Sequence, residues 1–247
     1  MKHAVFVVTA AYGKNTVLAL GGQGKLLPII ALSGAAGVEI RRELLTTTDL
    51  QSLPELARAI AAHGLRCFYS VPEALFTAGG TSNPLLPQLF AEAEQLGAER
   101  LKLSLGDFTT SVGTEALAAL LKTQRVELLV ENDQTACGTL APLQTFFNRA
   151  TADRLPVSMT FDMGNWHWVE QPPLAAADAL AAVVSYIHVK VAARSGNGWQ
   201  AVPPQPSDPS WSQLLARLPD KVPRGIEFPL TGNDLAAETR RFVTLLQ

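Results

Sequence analysis

The sequence is poor in the residues that build disulfide frameworks and thiolate metal sites. Its 247 residues include two cysteines, Cys67 and Cys137, and they are not arranged as a CxxC pair. We therefore expect neither a disulfide scaffold nor a cysteine-type structural zinc site. A chain of this length can bury a core large enough to fold without such cross-links.

Strong charge bias and long apolar runs are also missing. The formal net charge is -2, so no basic surface for nucleic acid is expected. No run of 18 apolar residues predicts a transmembrane helix, and the apolar run at residues 4–8 is shorter than that of a signal peptide. The expectation is a cytoplasmic protein whose partners are neither nucleic acid nor membrane.

Short apolar runs alternate with longer amphipathic stretches throughout the chain. The runs are rich in Val, Ile, Leu and Phe, which is typical of buried parallel strands. Eight strands are predicted, at residues 4–8, 38–41, 65–71, 101–105, 126–131, 157–162, 186–190 and 225–228. The stretches between them predict helices at residues 53–63, 83–97, 113–122, 140–153, 174–182, 210–218 and 234–246, with a less regular first helix over 23–32 that contains Pro28.

Eight strands that are each followed by a helix predict an α/β fold, a single-domain (β/α)8 TIM barrel over residues 1–247. A doubly wound open sheet is the main alternative. Residues 192–209 are rich in Gly, Pro, Ser and Asn and predict a long loop after the seventh strand. In a barrel that loop would lie on the active face.

Charged and imidazole side chains occupy strand positions that should face the barrel interior. They are Glu39, Arg41, Lys102, Glu131, Asp162, His188, Lys190 and Glu227. Any one of them alone is better explained as a solvated charge at a strand end. Together, three carboxylates and a histidine at similar heights would be costly to bury unless a cation neutralised them. Oxygen and imidazole donors suit one divalent ion, with Mn²⁺, Mg²⁺ or Co²⁺ favoured and Zn²⁺ possible.

Seven sequence pieces, in order along the chain, carry a family resemblance: GVEIRREL, YSVPE, LKLSLGDF, LLVENDQT, MTFDMGNWHW, YIHVK and GIEFPL. The chain resembles the xylose isomerase-like TIM barrels, a group of sugar isomerases and epimerases. In the ketose 3-epimerase branch of that family the metal ligands match Glu131, Asp162, His188 and Glu227. The same branch has an arginine at the position of Arg194.

Three positions depart from the epimerase pattern. A histidine of the epimerases is replaced by Asn165, an acid that follows the HxK motif in many relatives is replaced by Val191, and a further acid is replaced by Cys137. These departures leave the metal ligands intact but put the substrate in question.

The resemblance implies an isomerase that moves a proton beside the carbonyl of a sugar or sugar phosphate, through an enediolate. Glu131 and Glu227 would be the catalytic pair. Candidate substrate-binding residues are Arg194, Lys190, Glu39, Asn165, Trp166 and Lys102. Trp166 is as consistent with packing as with stacking on a sugar, Glu39 is as consistent with pairing to Arg41, and Lys102 suits neutralisation of the acids.

Other functions remain open at this point. A metal-dependent dehydratase on the same barrel would release water, and a non-catalytic relative would keep the fold without the reaction. Apurinic-site nucleases share the fold but use many histidines, and this chain has four. A homo-oligomer is possible, although no exposed apolar stripe in the sequence requires one.

Overall fold

Eight parallel strands close into a barrel in the computed structural model, which describes residues 2–111 and 113–247. Met1 and Val112 lie outside the described residues. The barrel strands are β1 (Val5–Val8), β2 (Gly37–Arg41), β3 (Arg66–Phe76), β4 (Arg100–Gly106), β5 (Glu127–Glu131), β6 (Val157–Asp162), β7 (Val184–Val189) and β10 (Arg224–Ile226). Around the barrel the order is β1-β10-β7-β6-β5-β4-β3-β2, which confirms the predicted (β/α)8 fold.

Helices cover the outside of the barrel between consecutive strands. They are α1 (Lys14–Leu20), α2 (Leu27–Leu32), α3 (Thr47–Gln51), α4 (Leu53–Ala62), α5 (Leu86–Gln95), α6 (Glu115–Leu121), α7 (Leu140–Ala152), α8 (Pro173–Leu180), α9 (Pro209–Leu215) and α10 (Leu235–Leu246). Within residues 2–111 and 113–247, no helix has both the length and the apolar character needed to cross a membrane.

Helices α1 and α3 were not predicted from the sequence, and two further segments differ from the prediction. The predicted loop at 192–209 begins with an antiparallel hairpin formed by β8 (Val191–Ser195) and β9 (Gly198–Val202). Its turn is at Gly196, whose φ of 58° lies in the left-handed region that glycine tolerates. The predicted first helix at 23–32 is a 3₁₀ turn followed by α2, because Pro28 is accommodated only in a helix's first turn.

The bottom of the barrel interior is closed by side chains from alternate strands. Phe6 of β1 stacks on Phe68 of β3 with ring centroids 3.9 Å apart, and Tyr186 of β7 meets Phe68 edge-on at 5.0 Å. Leu129 of β5 completes this group of fully buried residues. On β10 the neighbouring position is Gly225, where a Cβ would overlap the Tyr186 hydroxyl. This floor supports every side chain above it on the inward faces of the strands.

A partly buried ion pair joins the end of β2 to helix α5 on the outside of the barrel, with the side chains of Arg42 and Glu92 20% and 10% exposed. The Arg42 guanidinium donates to both carboxylate oxygens of Glu92, at 2.7 and 3.0 Å. Tyr69 and Gln88 donate to the same carboxylate at 2.9 and 2.8 Å. Burial raises the pKa of Glu92, but these hydrogen bonds outweigh burial and hold the pKa below its usual value.

We expect the Glu92→Ala substitution to destabilise the protein by about 3 kcal/mol, because it leaves the buried part of Arg42 and the Tyr69 hydroxyl without their shared acceptor. For a chain of this size that corresponds to a melting temperature roughly 8 °C lower. Thermal unfolding followed by circular dichroism measures it. The control is Glu94→Ala, an exposed position on the same helix, and equal melting temperatures for the two variants would contradict the assignment.

Candidate metal centre

Four predicted ligand residues meet at the C-terminal ends of the strands. Glu131 ends β5, Asp162 ends β6, His188 lies near the end of β7, and Glu227 directly follows β10. One donor atom from each lies within 4.8 Å of the other three. Asp162 and His188 are fully buried, and the side chains of Glu131 and Glu227 are 14% and 15% exposed. The site is therefore almost fully enclosed, and the exposure it retains is on Glu131 and Glu227.

The position of Asp162 is fixed by an amide side chain on the neighbouring strand. Asn132 donates to the Asp162 carbonyl at 2.9 Å and accepts from its backbone N–H at 2.8 Å, which extends the pairing of β5 and β6 by one residue. Asp162 Oδ1 accepts from the backbone N–H groups of Gly164 and Asn165, both at 2.8 Å. With Oδ1 occupied, Oδ2 is the oxygen that faces the other three residues.

His188 is oriented from behind by Glu39, which reaches across the barrel from β2. Its Nε2 lies 2.7 Å from Glu39 Oε2, and the Tyr186 hydroxyl donates to the same oxygen at 2.9 Å. A proton held on Nε2 by this carboxylate would leave Nδ1 as the nitrogen that could bind a metal ion. Nδ1 lies 2.7 Å from Glu131 Oε1 and 3.2 Å from Glu227 Oε2.

Three cations balance the acids. Lys102 Nζ lies 2.6 Å from Glu131 Oε2 and 3.5 Å from Glu39 Oε1. Lys190 Nζ contacts Asp162 Oδ2 at 2.8 Å and Glu227 Oε2 at 3.0 Å. Arg41 donates to Glu227 Oε1 at 2.9 Å. Every carboxylate in the cluster thus has a positive partner, which is the condition for burying it.

The pKa values follow from burial and these contacts. Burial raises the pKa of Glu39, but the charges of His188 and Lys102 outweigh burial and hold it at about 2. Burial lowers the pKa of His188, but the carboxylates of Glu39 and Glu227 raise it well above its usual value. Burial raises the pKa of Asp162 to about 7, with Lys190 opposing the rise and Glu227 adding to it. Binding of a metal at His188 therefore displaces a proton from Nδ1.

The residues fit a divalent ion. Glu131 Oε1, Asp162 Oδ2 and His188 Nδ1 are all buried without a hydrogen bond of good geometry, and all belong to the four converging side chains. Charged groups lie 2.7 to 2.8 Å from these atoms, but none of them makes a well-formed hydrogen bond with the atom. Buried polar atoms in that situation are rare in folded proteins unless an ion or water completes them. Three carboxylates and one imidazole are the donor set expected for Mn²⁺, Mg²⁺, Co²⁺ or Zn²⁺.

Two of the predicted substrate-binding residues have structural positions instead. Trp166 is fully buried in the hydrophobic core, 5.3 Å from the Phe161 ring, which corresponds to the packing alternative and leaves no exposed ring surface for a sugar. Glu39 is also fully buried, and its carboxylate contacts protein groups. Strand alternation correctly predicted that Glu39 faces the barrel interior. However, Glu39 pairs in register with Phe68 of the floor, so its carboxylate lies below the level at which a substrate would bind.

Asn165 connects two loops at the site. It accepts a hydrogen bond from Gln134 at 3.0 Å and donates to the Asn132 carbonyl at 2.8 Å. It is 5% exposed. The amide thus ties the ends of β5 and β6 together where the epimerases have histidine. The other two departures, Val191 and Cys137, are half-buried, at the start of the hairpin and in the turn before α7.

The remaining candidates divide between the cluster and the hairpin. Lys102 and Lys190 lie in the cluster, as neutralising groups for the acids. Arg194 is exposed on the hairpin, where its guanidinium stacks 3.9 Å from the Trp199 ring centroid. The His167 ring lies on the same tryptophan, at 4.9 Å. Arg194 is thus held at the mouth by stacking, away from the buried acids.

Three further residues help to build the site: Arg41, which the sequence placed on the inward face without a role, and Asn132 and Tyr186, which were not predicted. Arg41 pairs with Glu227, Asn132 positions Asp162, and Tyr186 supports Glu39. Arg41 lies two residues after Glu39 on β2, and Tyr186 lies two residues before His188 on β7. Strand alternation therefore predicts that both face the barrel interior. Asn132 had none, because it follows the last strand residue.

Solved structures with the same fold were found by comparison. The probable 3-DHS dehydratase AsbF of Bacillus anthracis shares 13% identity over 100% of this chain and 98% of that chain, with a TM-score of 0.69. D-allulose 3-epimerase from Methylomonas sp., in complex with D-allulose, shares 13% over 100% and 98%, with a TM-score of 0.65. The IOLI protein with a zinc atom bound shares 15% over 99% and 97%, with a TM-score of 0.70.

The chain thus shares its (β/α)8 barrel fold with these solved structures and with a xylose isomerase domain protein of Salmonella typhimurium. No protein-family model matches the chain, and no curated protein matches its sequence. Identities near 14% mean that the xylose isomerase-like fold carries no single activity over to this chain.

We expect Glu39→Gln to weaken the binding of Mn²⁺ or Zn²⁺ by about 10- to 100-fold, because the amide no longer holds His188 as a basic Nδ1 ligand. Isothermal titration of metal-stripped protein measures the affinity. The matched control is Glu127→Gln, which removes an exposed carboxylate at the other end of β5. Unchanged affinity in a folded Glu39→Gln protein would show that Glu39 does not position the ligand.

Proposed function

We propose that the protein is a metal-dependent sugar isomerase or epimerase that transfers a proton beside a carbonyl group through an enediolate. The observation that carries the proposal is the pair of carboxylates, Glu131 and Glu227, which come from separated strands and meet the same buried donor cluster. Two carboxylates that approach one carbon from different sides can remove a proton and return it.

A divalent ion held by Glu131, Asp162, His188 and Glu227 would supply Lewis-acid polarisation of the substrate carbonyl. Asp162 and His188 have no exposed surface, so they act as ligands only. Glu131 and Glu227 retain exposure toward the mouth, where a substrate carbon can reach them.

The chain keeps both catalytic carboxylates ionised. Burial raises the pKa of Glu131, but Lys102 and His188 outweigh burial and lower it. Burial likewise raises the pKa of Glu227, but Lys190 and His188 hold it well below its usual value. Each carboxylate is therefore ionised near neutral pH, which is the form that a general base requires. The paired lysines stabilise the anionic form before the transfer and are positioned to stabilise negative charge on the substrate oxygens after it.

The substrate belongs to the small hydroxycarbonyl compounds. The similar epimerase structures contain D-allulose and D-tagatose, which are ketoses of this class. We include Arg194 in the substrate site, because its stacked guanidinium lies on the hairpin that follows β7 and can contact substrate oxygens at the mouth. The paired carboxylates of the site and the similarity to these epimerase structures both support a sugar as the substrate.

Deuterium exchange tests the proposal directly. Incubation of the Mn²⁺-loaded protein with a panel of ketoses in D₂O should introduce deuterium on the carbon beside the carbonyl of the substrate, detected by NMR and mass spectrometry. Glu131→Gln and Glu227→Gln should each lower the exchange rate by about 10²- to 10⁴-fold, as loss of a general acid or base does. Glu127→Gln is the control that should keep the rate.

Two outcomes would contradict the proposal. Exchange that survives in both active-site variants would place the reaction elsewhere or show it to be uncatalysed. A product lighter by one water, formed without exchange into recovered substrate, would instead identify the protein as a dehydratase.

A further inference from the structure

An apolar cavity of about 300 Å³ lies beside Glu227 at the mouth of the barrel. Its walls include Ala10, Ala11 and Tyr12 after β1, Ala201 of the hairpin, and Phe228 and Pro229 after β10. Since Glu227 lines it too, the cavity begins at one of the proposed catalytic carboxylates. Its volume is at the lower end of small-molecule sites, so it suits part of a compact substrate.

The polar groups of the wall after β1 already have partners. The Ala10 carbonyl accepts from the Gly13 N–H at 2.9 Å, and the Ala11 carbonyl accepts from the Leu230 N–H at 2.8 Å. The Tyr12 hydroxyl is paired with Thr239 Oγ1 at 2.8 Å in the protein interior. A sugar hydroxyl placed against Ala10, Ala11 and Tyr12 would exchange water for alanine methyl groups and an aromatic ring, which costs free energy unless it is hydrogen-bonded. Apart from Tyr12, the one uncharged polar side chain among the described residues that line the cavity is Thr231, which is exposed.

Charge at the cavity also restricts what can enter. Among the described residues that line it, none is lysine or arginine, and the one charged group is the Glu227 carboxylate. The cations nearest to Glu227, Arg41 and Lys190, are bound to its two oxygens from the cluster side. A phosphate in the cavity would meet a like charge and no counter-ion, so an uncharged apolar group fits best.

We propose that this cavity binds an end of the substrate that carries no hydroxyl group. The preferred substrates are then deoxy sugars or similar hydroxycarbonyl compounds that end in a methyl group. The proposal rests on the proposed function, because it places the reacting carbon at Glu227 and the apolar end in the cavity. It excludes a sugar whose terminal carbon carries a phosphate.

Matched ligand pairs test this assignment. Dissociation constants are measured by isothermal titration for D-fructose against 6-deoxy-D-fructose, and for the L-enantiomers of both. In at least one pair the deoxy sugar should bind about tenfold more tightly, the size of effect that one group gives in an apolar pocket. In saturation-transfer NMR its methyl group should receive the strongest signal from the protein.

Two small substitutions should reduce the preference. Ala201→Ser and Ala10→Ser each add a hydroxyl to the cavity wall at a half-buried position, so the affinity ratio within the pair should fall toward one. Ala193→Ser is the matched control. It makes the same change on the hairpin, but Ala193 pairs with Gln200 on the opposite face from Ala201, so the ratio should be unchanged.

Equal affinities, tighter binding of the hydroxylated member, or no binding of any of the four sugars would overturn the assignment. Its failure is distinct from failure of the proposed function, because affinity is measured without turnover. A deoxy preference without deuterium exchange would refute the isomerase proposal alone. Exchange on ketoses without a deoxy preference would refute the cavity assignment alone.

Discussion

The barrel of this protein has to bury acidic and basic groups together in the space where most barrels place aliphatic side chains. Glu39, Lys102, Asp162 and His188 are each 3% exposed or less, so water does little to stabilise their charges. Removal of one partner from such a pair leaves an uncompensated buried charge and costs several kcal/mol. The rest of the site depends on meeting this constraint, from the Arg41 contact with Glu227 to the stacked aromatic floor that fixes the height of each strand.

The hydrogen bonds to His188 and Asp162 orient both side chains so that one atom of each faces the centre of the cluster, where a cation could bind. Glu39 and Tyr186 occupy the lower side of the His188 ring, while Asn132 and two backbone N–H groups occupy one side of Asp162. In both cases the protein satisfies the atom that points away from the centre and leaves the inner atom without a hydrogen bond of good geometry.

Parts of the site could be predicted because side chains along a strand alternate between its two faces. Apolar runs located the strands, and alternation showed that Glu131, Asp162, His188 and Lys190 share the inward face. Height along the barrel was not predictable, because it depends on the register between strands, and Glu39 proved to lie beside the floor. The hairpin at 191–202 was missed because its Gly-rich turn and small residues lack strong strand periodicity. Trp166 follows a proposed ligand in sequence yet packs outward into the core.

The central claim is that a divalent ion belongs among Glu131, Asp162, His188 and Glu227. The most direct measurement is an anomalous difference map from crystals grown with MnCl₂ and collected at a wavelength where manganese scatters anomalously. The account predicts one peak in contact with His188 Nδ1 and with oxygens of all three carboxylates, and Lys190 displaced from at least one of Asp162 and Glu227. No peak at this position at saturating metal, with Lys190 still bridging those two carboxylates, would contradict it.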